Sequence, residues 1–137
     1  NRDKTRVLDL RKEGESLDFL GYTFRYDCDR KGRKFLYLNM FPSKKALARE
    51  REHLRERTCA RMCFKPIPVM IDELNGHLRG WANYFWRGYP RKAFREINAY
   101  VRQRLSCHLF RRSQRPWRPP KGMTFYARFA QMGLIYL

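Results

Sequence analysis

Apolar side chains recur every three or four residues over the segment 67–85. This spacing is that of one face of an α-helix of about 20 residues, roughly 30 Å long. Most of the stability of such a helix comes from packing its apolar face against other elements, so the rest of the chain must be arranged around it. The face consists of Ile67, Ile71, Leu74, Leu78, Trp81 and Phe85.

A second apolar face follows Gly88-Tyr89-Pro90, a sequence that is expected to end the first helix. The second face predicts a helix from about residue 91 to residue 112. Two helices joined by a short turn indicate an antiparallel helical hairpin. The second face consists of Phe94, Ile97, Val101, Leu105 and Leu109.

Two more helices are predicted on either side of this hairpin. Ser43 is a favourable N-cap for a helix that runs to about Met62. Thr124 is expected to cap a last, short helix that Gly133 closes, because glycine readily takes positive φ at helix ends. The apolar tail 134–137 should then pack on the bundle. The apolar residues of the last helix are Phe125, Phe129 and Met132.

Segments 5–10, 17–26 and 35–40 have the alternation or the β-favouring composition of strands. Turn-forming residues fill segment 27–33, where Gly32 is free to take positive φ, so the last two strands form a β-hairpin. A lone hairpin is marginal in water and should pack on helices or on a sheet outside this chain. The sequence therefore predicts an α+β fold, with an N-terminal β-hairpin followed by a mostly α-helical bundle of three to four helices.

The chain is strongly basic, and this charge limits the classes of partner that it can bind. Among 137 residues, 31 are Lys or Arg and 13 are Asp or Glu, which gives a net charge of +18. A soluble domain of this size usually carries a net charge of about 2–8 in magnitude. A polyanionic partner would relieve the self-repulsion, and nucleic acid is favoured over an anionic membrane or an acidic protein. A run of about 18 apolar residues, which crossing a bilayer requires, does not occur.

Basic residues concentrate in two parts of the chain. The first predicted helix carries seven basic and three acidic residues, so it either contacts phosphate or is a solvated face with Glu–Arg pairs. Segment 87–121 holds eleven basic residues and one acid, with aromatic residues between them, as in surfaces that neutralise phosphates and stack bases. The candidate nucleic-acid-binding residues are Lys44, Lys45, Arg49, Arg79, Arg87, Arg91, Lys92, Arg95, Arg102, Arg111, Arg112, Arg115, Trp117, Arg118 and Lys121.

Some of these candidates have a second interpretation. Arg91, Arg95 and Arg102 lie off the apolar face and are expected to form one ridge. Trp117 either stacks on bases or attaches a proline-rich loop to the core. Arg79 makes either a buried polar bond or a phosphate contact.

The helix 67–85 contains residues that are unusual in a helix built only for packing. Glycine at position 80 costs about 1 kcal/mol relative to alanine in a helix. Its expected reason is the close approach of another element or of an RNA backbone. Trp81 lies on the apolar face and is predicted to be part of the core.

Residues that would support catalysis or bind a metal are scarce in the sequence. An Asp-Asp pair, a nucleophile motif and a glycine-rich phosphate loop do not occur, and the three histidines are far apart. Cys59 and Cys63 lie four residues apart, a spacing that would place them on one helical face. Because Cys28 and Cys107 are scattered, free thiols are favoured over a zinc site. We therefore expect neither a metal nor a cofactor here, and a reducing environment.

Three landmarks together resemble one known family. Segment 4–24, with its Phe-Leu-Gly sequence at 19–21, looks like the last blocks of a reverse transcriptase. Pro42-Ser43-Lys44-Lys45 is similar to the junction into the thumb of such enzymes. Segment 74–85 resembles the maturase signature of group II intron reverse transcriptases. The residues that carry the resemblance are Phe19, Leu20, Gly21, Leu74, Asn75, Gly80, Trp81, Tyr84 and Phe85.

The resemblance implies that segment 1–41 is the end of the reverse-transcriptase palm and that segment 42–137 is a helical thumb, or domain X. It implies binding of group II intron RNA to promote splicing, and of RNA/DNA primer–template in the full protein, where a reverse-transcriptase domain lies in cis. The parent would be an RNA-directed DNA polymerase that uses Mg²⁺, located in the bacterial cytoplasm. Its Asp-Asp site is absent here, so this chain should not polymerise. The alternative is a general basic DNA- or RNA-binding architectural module without intron specificity.

Overall fold

A computed structural model describes residues 8–12, 14–29 and 35–137. Within these residues, a three-stranded sheet precedes four helices, which confirms the predicted α+β class and helical bundle. A 3₁₀ turn at Ala60–Met62 separates the first two helices. The strands are β1 (Leu17–Phe19), β2 (Tyr22–Cys28) and β3 (Leu36–Pro42), and the helices are α1 (Lys44–Arg57), α2 (Ile67–Phe85), α3 (Arg91–Ser113) and α4 (Phe125–Gln131).

The sheet is antiparallel in the order β1-β2-β3, with Phe24 opposite Leu17 on one side and Met40 on the other. The predicted hairpin is therefore present, but the predicted strand 17–26 is wrong in its continuity. Leu20 and Gly21 have φ values of 49° and 83°, and such a two-residue turn reverses the chain between β1 and β2.

Two other sequence predictions for this region fall only partly within the described residues. The predicted strand 5–10 is not found at residues 8–10, which are irregular, and residues 5–7 lie outside the described residues. Asp27 and Cys28, predicted as turn residues, continue β2 instead. The turn position of Gly32 also lies outside the described residues.

Helix α1 begins as predicted and ends earlier than predicted. The Ser43 hydroxyl accepts a hydrogen bond from the Ala46 amide at 3.1 Å, as an N-cap does. The helix ends at Arg57, not near Met62, because buried Thr58 leaves the helical conformation. The Thr58 hydroxyl donates to the Leu54 carbonyl at 2.7 Å and accepts from Nε of Arg104 on α3 at 3.0 Å.

Most residues of the core belong to α2 and α3, and both helices match their predicted bounds to within about two residues. The predicted apolar faces of the two helices supply most of it, and α1, α4 and the C-terminal tail contribute one residue each. The core cluster consists of Leu54, Met70, Ile71, Leu74, Leu78, Ile97, Val101, Leu105, Phe129 and Leu134. Trp81 packs against this cluster but stays partly exposed, so it belongs to the edge of the core.

Two asparagines hold the C-terminal tail against the bundle. The Asn75 side chain donates to the Gly133 carbonyl at 2.7 Å and accepts from the Ile135 amide at 3.0 Å. Asn98 does the same with both backbone groups of Leu137, at 3.0 and 3.1 Å. Each side-chain amide thus forms the pair of hydrogen bonds that a neighbouring strand would form with the tail backbone. These contacts confirm the prediction that the tail packs on the bundle.

The turn between α2 and α3 is tightly packed against the sheet. The Tyr89 amide donates to the Met40 carbonyl at 2.8 Å. Gly88 has a φ of 80°, and a Cβ there would lie only 2.2 Å from that carbonyl oxygen. Position 88 therefore requires glycine on two counts, conformation and space. By contrast, a Cβ at Gly80 would meet no atom within 4 Å among the described residues, so the predicted approach of another element to Gly80 is wrong.

We expect Gly88→Ala to lower the free energy of unfolding by more than about 2 kcal/mol. A left-handed conformation alone costs an L-residue roughly 1–2 kcal/mol, and the Met40 carbonyl must also move. Gly80→Ala is the matched control and should raise stability by up to about 1 kcal/mol. Urea denaturation of both variants measures this, and a neutral Gly88→Ala would show that the turn is not packed as described.

The stability of the fold should also depend on pH through His108. Its ring is fully buried, Nδ1 donates to the Thr58 carbonyl at 3.4 Å, and Nε2 has no partner among the described residues. Burial lowers the pKa of His108, the Thr58 hydrogen bond raises it, and the charges of Arg112, Arg111 and Arg104 lower it further. The net pKa is below the ordinary value, so the folded protein favours the neutral ring.

As pH falls through about 6.5, the unfolded chain takes up a proton that folded His108 does not. The free energy of unfolding should therefore decrease below that pH, by at most about 1.4 kcal/mol per pH unit from this group. Denaturation of the parent and of His108→Gln between pH 7.5 and 5 measures the difference. The variant should show the shallower dependence, and equal slopes would contradict a neutral His108.

Candidate nucleic-acid interface

The three sequence landmarks meet at one cavity of about 710 Å³. The β1–β2 turn, the first turns of α1 and the second half of α2 form its walls. Chain segments as far apart in sequence as Asp18 and Phe85 thus share one site. The lining residues are Asp18, Leu20, Gly21, Ser43, Lys45, Ala46, Arg49, Glu50, His53, His77, Trp81, Tyr84 and Phe85.

Hydrogen bonds attach the β1–β2 turn to α2. The Tyr84 hydroxyl donates to the Leu20 carbonyl at 2.8 Å, and the Tyr22 hydroxyl donates to the Tyr84 carbonyl. Burial, and then the neighbouring Tyr84, raise the pKa of Tyr22, so its phenol stays protonated as a donor. A Cβ at Gly21, whose φ is positive, would lie 3.2 Å from the Phe85 ring. The Phe-Leu-Gly landmark therefore has a packing reason.

Aromatic rings make up the α2 wall of the cavity. The Trp81 ring lies 4.9 Å from the Phe85 ring and 5.7 Å from the Phe94 ring, centroid to centroid. Phe85 is buried, whereas Trp81 is partly exposed and Tyr84 is 53% exposed. Trp81 and Tyr84 thus present ring surface to solvent within the site.

A buried carboxylate and an imidazole lie between α1 and α2. Glu50 is 3% exposed, and its Oε2 accepts from Nε2 of His77 at 2.9 Å. Glu50 Oε1 is buried and has no hydrogen-bond partner among the described residues. The exposed ring of His53 lies 5.7 Å from the ring of His77. Sequence reasoning did not select these three residues, because Glu50 and His77 are 27 positions apart in the chain.

The predicted basic residues of α1 and α2 lie at or near this cavity. Lys45 and Arg49 line it and are exposed, and Lys44 is exposed at the first position of α1. Arg79 is exposed on α2, which excludes the buried polar bond that the sequence left open for it.

The basic side chains of the predicted ridge along α3 are exposed to solvent in the first half of the helix, whereas Arg102 in the second half packs against another side chain. Arg91, Lys92 and Arg95 are exposed at the start of the helix. Arg102 is half-buried, and its guanidinium lies over the Tyr126 ring at 5.0 Å. Arg87, in the preceding turn, lies over the exposed ring of Trp86 at 5.2 Å. Arg102 therefore packs α3 on α4, and the ridge narrows towards its C-terminal end.

A second cavity, of about 720 Å³, lies between the end of α1 and α3. Arginines dominate its wall, and of these only Arg111 was among the predicted binding residues. Arg104 was not among the predicted binding residues, because its place in the sequence of α3 does not indicate its contact with Thr58. Glu52 and Glu56 also line this cavity, so its charge is mixed. The arginines of this wall are Arg55, Arg61, Arg104 and Arg111.

The loop after α3 carries the remaining candidates. Arg115, Arg118 and Lys121 are exposed, whereas one guanidinium nitrogen of Arg112 donates to the Lys65 carbonyl and holds the loop before α2. The Trp117 ring stacks on Phe129 with centroids 4.8 Å apart and the planes at 22°. Trp117 therefore attaches the proline-rich loop to the core, which is the packing alternative.

The family model of the group II intron maturase-specific domain matches residues 42–124. This chain belongs to that family. No curated protein matches the chain. The matched region begins at the last residue of β3 and includes α1, α2 and α3, so the maturase-specific domain supplies two of the three sides of the cavity at Glu50. The β1–β2 turn, on the third side, precedes the matched region.

Two further findings concern metal binding and membrane crossing. Cys59 and Cys63 do not share a helical face, since they flank the 3₁₀ turn, and Cys28, Cys59, Cys63 and Cys107 are all free thiols. Within residues 8–12, 14–29 and 35–137, no group of three His, Cys, Asp or Glu residues is placed to hold a metal ion. Over the same residues, none of the helices combines the length and the apolar character that crossing a membrane requires.

Tyr84→Phe should lower the free energy of unfolding by about 0.5–1.5 kcal/mol, because it removes the hydrogen bond to the Leu20 carbonyl. Tyr89→Phe is the matched control, since the Tyr89 hydroxyl makes no hydrogen bond to the part of the chain that the structure describes. Urea denaturation compares the two. If both variants were as stable as the parent, the Tyr84 hydroxyl would not secure the β1–β2 turn.

Proposed function

We propose that this chain binds group II intron RNA and helps the RNA to fold for splicing. Membership of the maturase-specific family over residues 42–124 is the observation that carries the proposal. The net charge of +18 supports it, because RNA is a polyanion and neutralised phosphates release counterions.

The exposed basic residues supply the phosphate contacts in this proposal. One group lies beside the cavity, at Lys44, Lys45 and Arg49. Another lies at the start of α3 and in the loop after it. Structured RNA exposes single-stranded loops and bulges whose bases stack on aromatic side chains, and Trp81 and Tyr84 offer partly exposed ring surface for such contacts.

The same proposal extends to the larger protein. There the chain would follow a reverse-transcriptase domain in cis and would contact the primer–template during reverse transcription and intron mobility. The Mg²⁺ of polymerisation would be bound by that domain, and this chain would not polymerise alone. The bacterial cytoplasm is the proposed location, since the intron RNA is transcribed there.

A salt-dependent binding titration tests the proposal. The partners are a structured group II intron RNA, an unrelated structured RNA of equal length and duplex DNA of equal length. The proposal expects tighter binding to the intron RNA that persists at high salt. Equal and steeply salt-sensitive binding to all three would favour the alternative, a general basic architectural module.

Arg115→Ala with Arg118→Ala should weaken intron RNA binding without lowering the melting temperature, because both side chains are exposed. The slope of log K against log salt should become shallower by roughly 1.4–1.8 if each arginine contacts one phosphate. The matched control is Arg11→Ala with Lys12→Ala, which removes the same charge outside the family match. Equal losses in both double variants would show that charge alone, not this loop, decides binding.

A further inference from the structure

The cavity at Glu50 has the features of a ligand site rather than of a packing gap. Its volume of about 710 Å³ lies within the range of small-molecule and cofactor sites. A buried carboxylate in its wall is only partly satisfied by protein atoms, since Glu50 Oε1 has no partner among the described residues. Polar groups of this kind are rare in native structures, and each one requires an explanation.

The other carboxylate oxygen of Glu50, Oε2, holds the imidazole of His77. A carboxylate only accepts hydrogen bonds, so Nε2 of His77 is the donor in this pair. Nδ1 is then the nitrogen that is left for a ligand. It is not a buried atom, and it makes no hydrogen bond to the described residues, while the side chain is 23% exposed. Glu50 is therefore a positioning residue for His77.

The remaining walls complement the three parts of a nucleotide. Trp81 and Tyr84 present partly exposed rings, on which a base of any kind can stack. Lys45 and Arg49 provide cations for a phosphate on the α1 side. Asp18, which also lines the cavity, accepts from the Thr23 hydroxyl at 2.5 Å, and its charge disfavours a phosphate beside it.

The chemistry of His77 selects ribose over deoxyribose. Nδ1 accepts a hydrogen bond when the ring is neutral and donates one when the ring is protonated. A ribose 2′-hydroxyl can both donate and accept, so it suits either state. Deoxyribose offers no such group.

We propose that this cavity binds one unstacked ribonucleotide of the RNA, with its base on Trp81 and Tyr84, its phosphate at Lys45 and Arg49, and its 2′-hydroxyl on His77. The site rests on the proposed RNA binding and adds a means of distinguishing RNA from DNA. A single such nucleotide would fix the register of the RNA on the domain, which the exposed arginines cannot do.

The test compares binding of 12-residue oligouridylate with that of 12-residue oligodeoxyuridylate, which differ only at the 2′ position. The unmodified chain should prefer the ribo form by roughly 3- to 10-fold, the value of one hydrogen bond. His77→Phe should abolish this preference by weakening the ribo form alone. Arg115→Ala with Arg118→Ala should weaken both oligonucleotides and leave their ratio unchanged.

The stacking part of the proposal has its own variant and control. Trp81→Leu should weaken binding of both oligonucleotides by about 5-fold or more. Trp86→Leu, which changes an exposed tryptophan outside the cavity, should leave binding closer to that of the parent. Equal losses in the two variants would overturn the assignment of the base to Trp81.

His77→Phe leaves Glu50 without its partner and can fail to fold, so one measurement uses the unmodified chain. The Nδ1 resonance of His77 in ¹⁵N NMR should move on addition of the ribo form and stay in place with the deoxy form. An unmoved resonance, or equal affinity for the two oligonucleotides, overturns the proposal. If intron RNA still binds tightly in that case, the cavity serves another occupant, such as a segment of the reverse-transcriptase domain, and the proposed function stands. If intron RNA does not bind either, both fail.

Discussion

Burial of the apolar face of α2 is the interaction on which the rest of this structure depends. Leu74 and Leu78 are fully buried in the core cluster that also contains residues of α3 and α4, and the neighbouring Asn75 holds the C-terminal tail. At the other end of the same helix, Tyr84 and Phe85 contact the β1–β2 turn. One helix thus contacts the core, the tail and the sheet, which explains why its sequence departs from that of a simple amphipathic helix.

The arrangement of the acids determines where positive charge remains available. Among the described residues, Asp27, Glu52, Glu73 and Glu96 pair with arginines or a lysine at 2.6–2.9 Å. Pairs of this kind at the surface contribute little to stability. Basic residues outnumber acidic residues so far that the net charge is +18. The molecule therefore keeps a cationic surface, and binding of a polyanion would relieve its self-repulsion.

The helices could be predicted from the sequence because periodic apolar residues report burial directly. The bounds of α2 and α3 follow from that period, and those of α4 from the Thr124 cap. The break between β1 and β2 was missed because Leu20, at a positive φ, is not a turn-forming residue type. The end of α1 was missed because it depends on the contact of Thr58 with Arg104 on α3.

The candidate site was predicted in part and for the same physical reason. Charge alone selected Lys45 and Arg49 as nucleic-acid-binding residues, and that role stays a prediction. The structure places both side chains exposed at the cavity. Arg102, Arg112 and Trp117 have packing contacts that composition does not reveal. The pairing of Glu50 with His77 depends on the distance between two helices, and a single sequence contains no direct record of that distance.

The contact between Gly88 and Met40 has a mechanical consequence. Because the turn after α2 lies directly on β3 and the β1–β2 turn is bonded to Tyr84, the sheet is attached to the helical hairpin at two separate points. The sheet therefore cannot move away from α2 without breaking both contacts. The β1–β2 turn and α2, which form two walls of the cavity, are joined directly by the hydrogen bond from Tyr84 to the Leu20 carbonyl.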